Sequence, residues 1–206
     1  ILATSSDVRL RVLKKIISIY QVKNMILEKV LFQSITELDE AKNIIVGTKI
    51  NCWVNCFRRE EMCWKKIKEY FLENSNMKLY YGKSDWGMCC NSIHIVDLAV
   101  WLFNSKIKHI DISNLNNTIY QSKRQGFIEL TGTLSGELEN GGTFELESTD
   151  KIPEKKVQFE ISSDTRKLKI NEYEGKATLY KKENNWIGEE YEFHIPFQSE
   201  KTQKIV

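Results

Sequence analysis

The strongest constraint on this chain lies in its first 57 residues, where apolar runs of strand length alternate with runs of helical period. Ile1–Ala3 is apolar and gives way to the small polar turn Thr4-Ser5-Ser6-Asp7. Val8, Val12, Leu13, Ile16, Ile17 and Tyr20 then recur at helical spacing, with Ser6 or Asp7 placed to cap the helix. Lys23–Lys29, centred on Met25-Ile26-Leu27, predicts a second strand. Ser34-Ile35-Thr36-Glu37 is a capping-box pattern that opens a helix carrying Leu38, Ala41, Ile44 and Ile45, with Gly47 as its stop. Ile50–Phe57 predicts a third strand. The order β-α-β-α-β over short connections predicts a parallel sheet with right-handed crossovers. Open parallel sheets bind ligands beyond the C-terminal ends of their strands. Thr4–Ser6, Glu28–Lys29 and Asn55–Arg58 fall at those ends.

The pattern then changes. Arg58–Glu73 predicts a helix with Met62, Ile67, Tyr70 and Phe71 on its apolar side, followed by a strand at Lys78–Tyr81. A loop at Gly82–Cys90 leads into a helix from Asn91 to Phe103. The remainder alternates apolar and polar residues in short stretches: Lys106–Ser113, Gly126–Glu137, Gly142–Ser148, Lys155–Ser162, Lys167–Tyr173, Lys176–Lys182 and Glu190–Pro196. Turn signals at Asn140-Gly141-Gly142, Ser163-Asp164 and Glu174-Gly175 separate them. The fold class is therefore α/β plus α+β: the C-terminal part of a Rossmann-like parallel sheet, then a domain with a large, mostly antiparallel sheet wetted on one face. The expected division is 1–57 and 58–206.

Composition narrows the function classes. With 41% hydrophobic and 28% charged residues and a net charge of +2, the chain shows no electrostatic footprint for nucleic acid. Its longest apolar run, Ile93–Phe103, is interrupted by His94 and Asp97 and is too short to span a bilayer. The five cysteines, Cys52, Cys56, Cys63, Cys89 and Cys90, are odd in number and clustered, which fits free thiols in a reducing cytoplasm better than disulfides or zinc. The chain opens inside an apolar run without Met and closes on Ile205-Val206 after a polar stretch, so it is expected to be a piece of a longer reading frame.

Two residues stand out chemically. Lys29 ends an apolar strand, where an ammonium can stabilise a developing alkoxide or can simply be a solvated strand end. His94 shares a helix face with Asn91 and Asp97, an arrangement for general acid/base work or for a half-buried histidine behind an Asn91 cap. His109 and His194 read as structural or surface residues, and Trp53, Trp64, Trp86, Trp101 and Trp186 as core.

Four segments in this order resemble the Gfo/Idh/MocA family of NAD(P)-dependent oxidoreductases. Ile1–Asp7 resembles that family's fourth Rossmann strand and turn, and Ile26-Leu27-Glu28-Lys29-Val30-Leu31 its Glu-Lys-Pro signature. Val54–Arg59 resembles its strand ending in an Asn/Arg-rich turn, and Trp86-Gly87 through His94–Leu98 its His-x-x-Asp helix. The resemblance implies hydride transfer between NAD or NADP and a sugar or sugar-nucleotide hydroxyl or keto group, with 1–57 as a partial Rossmann-like nucleotide-binding domain and 58–206 as a substrate-binding and oligomerisation domain. It makes Lys29 and His94 the catalytic pair, gives Thr4, Ser5, Glu28 and Lys29 to the nicotinamide end of the cofactor, and gives Arg58, Asn91 and Asp97 to the substrate. The signature proline position holds Val30, and Cys90 stands where many members have an aspartate four residues before the histidine. No Gly-x-Gly-x-x-Gly turn occurs in these residues, so the chain alone is expected not to hold NAD(P) tightly and to be inactive. The full protein is expected to begin roughly sixty to seventy residues upstream, the size of two βαβ units. The Cys90-Asn91-Ser92-Ile93-His94 variant resembles a branch associated with bacterial surface-polysaccharide sugars. An NAD-dependent glycoside hydrolase and a non-catalytic relative are the alternatives. A homo-oligomer through the C-terminal sheet is expected, with neither nucleic acid nor membrane as partner.

Overall fold

A computed structural model of the chain describes residues 1–72, 74–153 and 156–195. It divides into two units, Ile1–Cys56 and the chain from Phe57 onward. Glu73, Lys155, Pro196 and Ile205-Val206, which figured in the expected helix, strands and chain end, lie outside the described residues.

The first unit contains α1 (Ser6–Ile19), β1 (Asn24–Leu27), α2 (Ile35–Thr48) and β2 (Asn51–Val54). β1 and β2 pair in parallel, with Leu27 opposite Val54. The expected first strand is reduced to a single parallel bridge, Leu2 to Leu27, made by Leu2 N–H donating to Ile26 O and Glu28 N–H donating to Leu2 O. Leu2, Leu10, Leu13, Met25, Leu27, Phe32, Ala41 and Ile50 form one buried cluster. Burying an aliphatic side chain of this kind contributes about 1.5–3 kcal/mol. Trp53 departs from the core expectation at 50% exposed, because strand alternation turns Cys52 onto the cluster and Trp53 to the opposite face.

Capping differs in detail from expectation. The N-cap of α1 is Ser5, not Ser6 or Asp7, and its side chain makes no cap bond. At α2 the Ser34 hydroxyl accepts from Glu37 N–H as expected, while the Glu37 carboxylate accepts from Gln33 N–H. Gly47 does not stop this helix. It continues to Thr48 and ends at Lys49, which takes the left-handed conformation with φ 57°.

The second unit opens with a 3-10 turn at Phe57–Glu60, then α3 (Met62–Phe71), β3 (Lys78–Lys83) and α4 (Met88–Leu102). There follow β4 (Ile107–Asp111), β5 (Tyr120–Gln121), β6 (Ile128–Glu129), β7 (Gly132–Leu138), β8 (Thr143–Ser148), β9 (Val157–Ser162), β10 (Arg166–Asn171), β11 (Lys176–Lys181) and β12 (Gly188–Glu192). Eight strands form one sheet in the order β12-β11-β10-β9-β3-β8-β7-β4. Among the described residues, only the β3–β8 pair of this sheet is parallel. Period-two alternation sends Leu79, Tyr81, Phe144, Leu146, Phe159, Ile161, Leu168, Ile170 and Leu179 to one face. There they join Trp64, Ile67 and Phe71 of α3 and Ile95, Leu98, Ala99 and Leu102 of α4 in the core. Met62, expected on the apolar side, is 61% exposed at the first turn of α3. The expected Gly126–Glu137 strand is two elements, because Gly132 has φ 103° and a Cβ there would meet Asn114 O at 2.5 Å. The β5–β6 pair was not expected; its two-residue strands are too short to show alternation.

Candidate functional site

In the first unit, parallel pairing sets Leu2, Leu27 and Val54 side by side, so the turns that follow them leave the same edge of the sheet. Asn55 N–H donates to Leu27 O at 2.8 Å, and the Asn55 amide donates to Glu28 Oε2 at 2.7 Å, which ties the β2 end to the Glu28-Lys29 turn. Lys29 is half-buried, and the Lys29–Val30 peptide bond is cis. Thr4 Oγ1 is buried with no hydrogen-bond partner among the described residues, and the Ser5 hydroxyl makes no bond to α1. The unsatisfied Thr4 hydroxyl fits a polar ligand such as the ribose or carboxamide of a nicotinamide nucleotide, since a buried hydroxyl without a partner costs about 1–3 kcal/mol.

Arg9 is the residue that the sequence reading passed over. It is 1% exposed, and its guanidinium donates to three backbone oxygens: Thr4 O, Val30 O, and Leu31 O at 2.6 Å. Burial lowers its pKa, and Glu28 and Asp7 work against that.

In the second unit, α4 carries His94 and Asp97. The helix starts at Met88 rather than Asn91, from Gly87 in the left-handed conformation (φ 70°). Asn91 is therefore not the cap; its side-chain amide donates to Trp86 O at 2.7 Å. The cap comes from a distant element, with Glu129 Oε2 accepting from Cys89 N–H at 2.9 Å. His94 is half-buried, its ring centroid 5.4 Å from that of Phe57 in the 3-10 turn. Asp97 receives Arg59 Nη2 on Oδ1 at 2.9 Å, while its Oδ2 is buried without a partner among the described residues. Burial pushes the Asp97 carboxyl above its ordinary range and Arg59 partly offsets this.

Arg58 points elsewhere: it pairs with Glu172 at 2.6 Å, both side chains 17% exposed, with its guanidinium 5.9 Å from the Trp64 ring centroid. Tyr81 is raised by burial and by Glu172, with Arg58 opposing. Cys63 is pushed up to about 11 by burial and by Glu61. A cavity of about 250 Å³ lies on the polar face of the sheet, among Lys78, Tyr80, Thr143, Glu145, Glu160 and Ser162, away from the face that α4 covers. His109 and His194 are exposed, as is Trp186 at 43%, unlike the core role expected of it. All five cysteines are free, and no cluster of metal-ligating side chains occurs among the described residues. No helix of the described residues is long and apolar enough to cross a membrane.

Neither a protein-family model nor a curated protein matches this sequence. Solved structures do. Gal80p from Saccharomyces cerevisiae, in a super-repressor mutant, is 14% identical with a TM-score of 0.72, over 94% of this chain and 60% of that one. The UDP-N-acetylglucosamine 3-dehydrogenase from Acidithiobacillus ferrooxidans is 12% identical with a TM-score of 0.68, over 96% and 65%. An oxidoreductase from Agrobacterium radiobacter in complex with NAD+, L-tartaric acid and magnesium is 12% identical with a TM-score of 0.65, over 95% and 61%. The fold is that of the Gfo/Idh/MocA oxidoreductases. The chain spans about three-fifths of the length of these structures. It holds the C-terminal part of a Rossmann-like sheet and the large-sheet domain, as expected from the period change after residue 57.

Proposed function

We propose that this chain serves a nicotinamide-dependent oxidoreductase acting on a hydroxyl or keto group of a sugar or sugar nucleotide. The observation that carries the reading is the edge of the parallel sheet, where Glu28-Lys29, the Thr4-Ser5 turn and Asn55 leave neighbouring strand ends in a Gfo/Idh/MocA fold. A bound NAD or NADP supplies the hydride acceptor or donor. Thr4, Ser5 and Glu28 hold the nicotinamide end, with the unpartnered Thr4 hydroxyl as the first candidate contact. Lys29 donates a hydrogen bond to the reacting oxygen and lowers the cost of alkoxide character there. His94 takes or returns the hydroxyl proton. Asp97 leads the substrate candidates, since one of its oxygens lacks a partner. Arg58 and Asn91 are engaged with Glu172 and Trp86, so their part is to hold the turn and helix that present the substrate contacts.

A sugar-nucleotide substrate is supported by the dehydrogenase among the similar structures, and a role in surface-polysaccharide sugars, a cytoplasmic location and association through the open sheet face belong to the same proposal. In the intact protein, Lys29→Met is expected to slow hydride transfer from a panel of sugar nucleotides, followed at the nicotinamide absorbance, by about a hundredfold or more. An unchanged rate removes Lys29 from the reaction. The likeness to Gal80p favours a second reading, a non-catalytic relative. Under that reading neither Lys29→Met nor His94→Ala alters what the protein does in the cell.

A further inference from the structure

We propose that Arg9 is a positioning residue that couples the Thr4 turn to the Val30-Leu31 turn, so that both loops at the nicotinamide end move as one body. The proposal rests on the cofactor reading for its ligand class, but its geometry stands alone. A guanidinium is a rigid planar fork, and this one is 1% exposed with acceptors in both loops: Thr4 O on Nη2, and Val30 O and Leu31 O on Nη1. A buried guanidinium needs several acceptors for its five N–H donors, and where those acceptors lie decides what it holds together. Here the acceptors lie 5, 21 and 22 residues away, in separate loops.

The consequence follows from peptide planarity. In a trans peptide the N–H points opposite to the C=O. With Thr4 O, Val30 O and Leu31 O drawn onto Arg9, the N–H groups of Ser5, Leu31 and Phe32 are turned away from it, and none of the three donates to a backbone oxygen among the described residues. The buried cation thus fixes the outward direction of donors in both loops at once. Such donors suit a ligand rich in acceptor oxygens, as a nicotinamide riboside is.

Backbone 15N relaxation of the intact protein, with and without NAD(H), tests this. In Arg9→Met, the order parameters of Ser5, Leu31 and Phe32 are expected to fall together from the rigid value of about 0.85 to below about 0.6, while Ile26 and Leu27 keep theirs. Arg9→Lys keeps the charge without the fork; it is expected to fold, to lose the coupling, and to raise KM for the dinucleotide more than it lowers kcat. A fall in one loop only, a uniform fall through β1, or parental order in both loops of Arg9→Lys overturns the proposal. If the parent protein does not bind NAD(H), the cofactor reading fails while the relaxation pattern still decides the role of Arg9.

Discussion

The Arg58–Glu172 pair allows a sharp energetic prediction. Its charged atoms approach to 2.6 Å and each side chain is 17% exposed, so the pair is only weakly screened by solvent. At an effective dielectric near 20, two unit charges about 4 Å apart attract by about 4 kcal/mol. Deleting one partner of such a pair costs about 3–5 kcal/mol, most of it for the charge left behind. The two deletions are not equivalent here. Glu61, itself buried, also acts electrostatically on Arg58, so the site holds two carboxylates around one cation. Glu172→Gln leaves Arg58 with Glu61, and should cost about 3 kcal/mol. Arg58→Met leaves both carboxylates without a cation, with Glu172 also acting on the raised Tyr81 phenol, and should cost about 5 kcal/mol. The double variant Arg58→Met/Glu172→Leu should recover much of the loss, because no uncompensated charge remains on the pair. Urea unfolding followed by tryptophan fluorescence, to which the buried Trp64 beside Arg58 contributes, measures all three. Costs within about 1 kcal/mol for both single variants, the value of an exposed pair, would refute the burial argument. A larger loss for Glu172→Gln than for Arg58→Met would refute the role given to Glu61.

Two further expectations concern α4. Burial raises the Asp97 carboxyl more than Arg59 lowers it, so the folded chain holds this proton more tightly than the unfolded one. As pH climbs above about 4 the unfolded chain ionises first, and stability falls until the folded carboxyl has also ionised. Asp97→Asn lacks this loss, so urea titrations between about pH 4 and pH 7 should show the parent losing ground to it as pH rises; the opposite slope would show that Arg59 dominates. Glu129→Ala should destabilise the second unit by about 1 kcal/mol through loss of the bond to Cys89 N–H, and should speed exchange of the amides at the start of α4. No change in either would assign that helix end another cap.

The alternation of strand and helix periods before residue 57, and the period-two stretches after it, were legible because both report where apolar surface must go. Element ends were less so. Strands shortened wherever the ladder ran out of partners, as at Asn51–Val54 within the expected Ile50–Phe57. The α4 start was misplaced by three residues because its cap is Glu129, 40 residues away from the N–H that it satisfies. Gly132 split an expected strand through a backbone conformation that the alternation of its neighbours does not encode.

The same distinction separates the parts of the candidate site. Lys29 and His94 were singled out because each follows or interrupts a strong apolar pattern, and the strand ends that present Thr4, Glu28 and Asn55 follow from topology. Arg9 was missed because its acceptors are carbonyls in other loops, and a carbonyl leaves no mark in a sequence. Yet a signal was there. Arg9 stands on the stripe of α1 that continues through Leu13 and Ile16, so a charge occupies a place where the helix period calls for an apolar side chain. Asp97 does the same inside Ile93–Phe103. A charge on a buried stripe must find a partner or destabilise the fold by several kcal/mol. In both cases the partner holds a loop in place: Arg9 the turns after the first strands, Asp97 the Arg59 turn. The violation of the period, rather than the period itself, marks the residues that hold these loops.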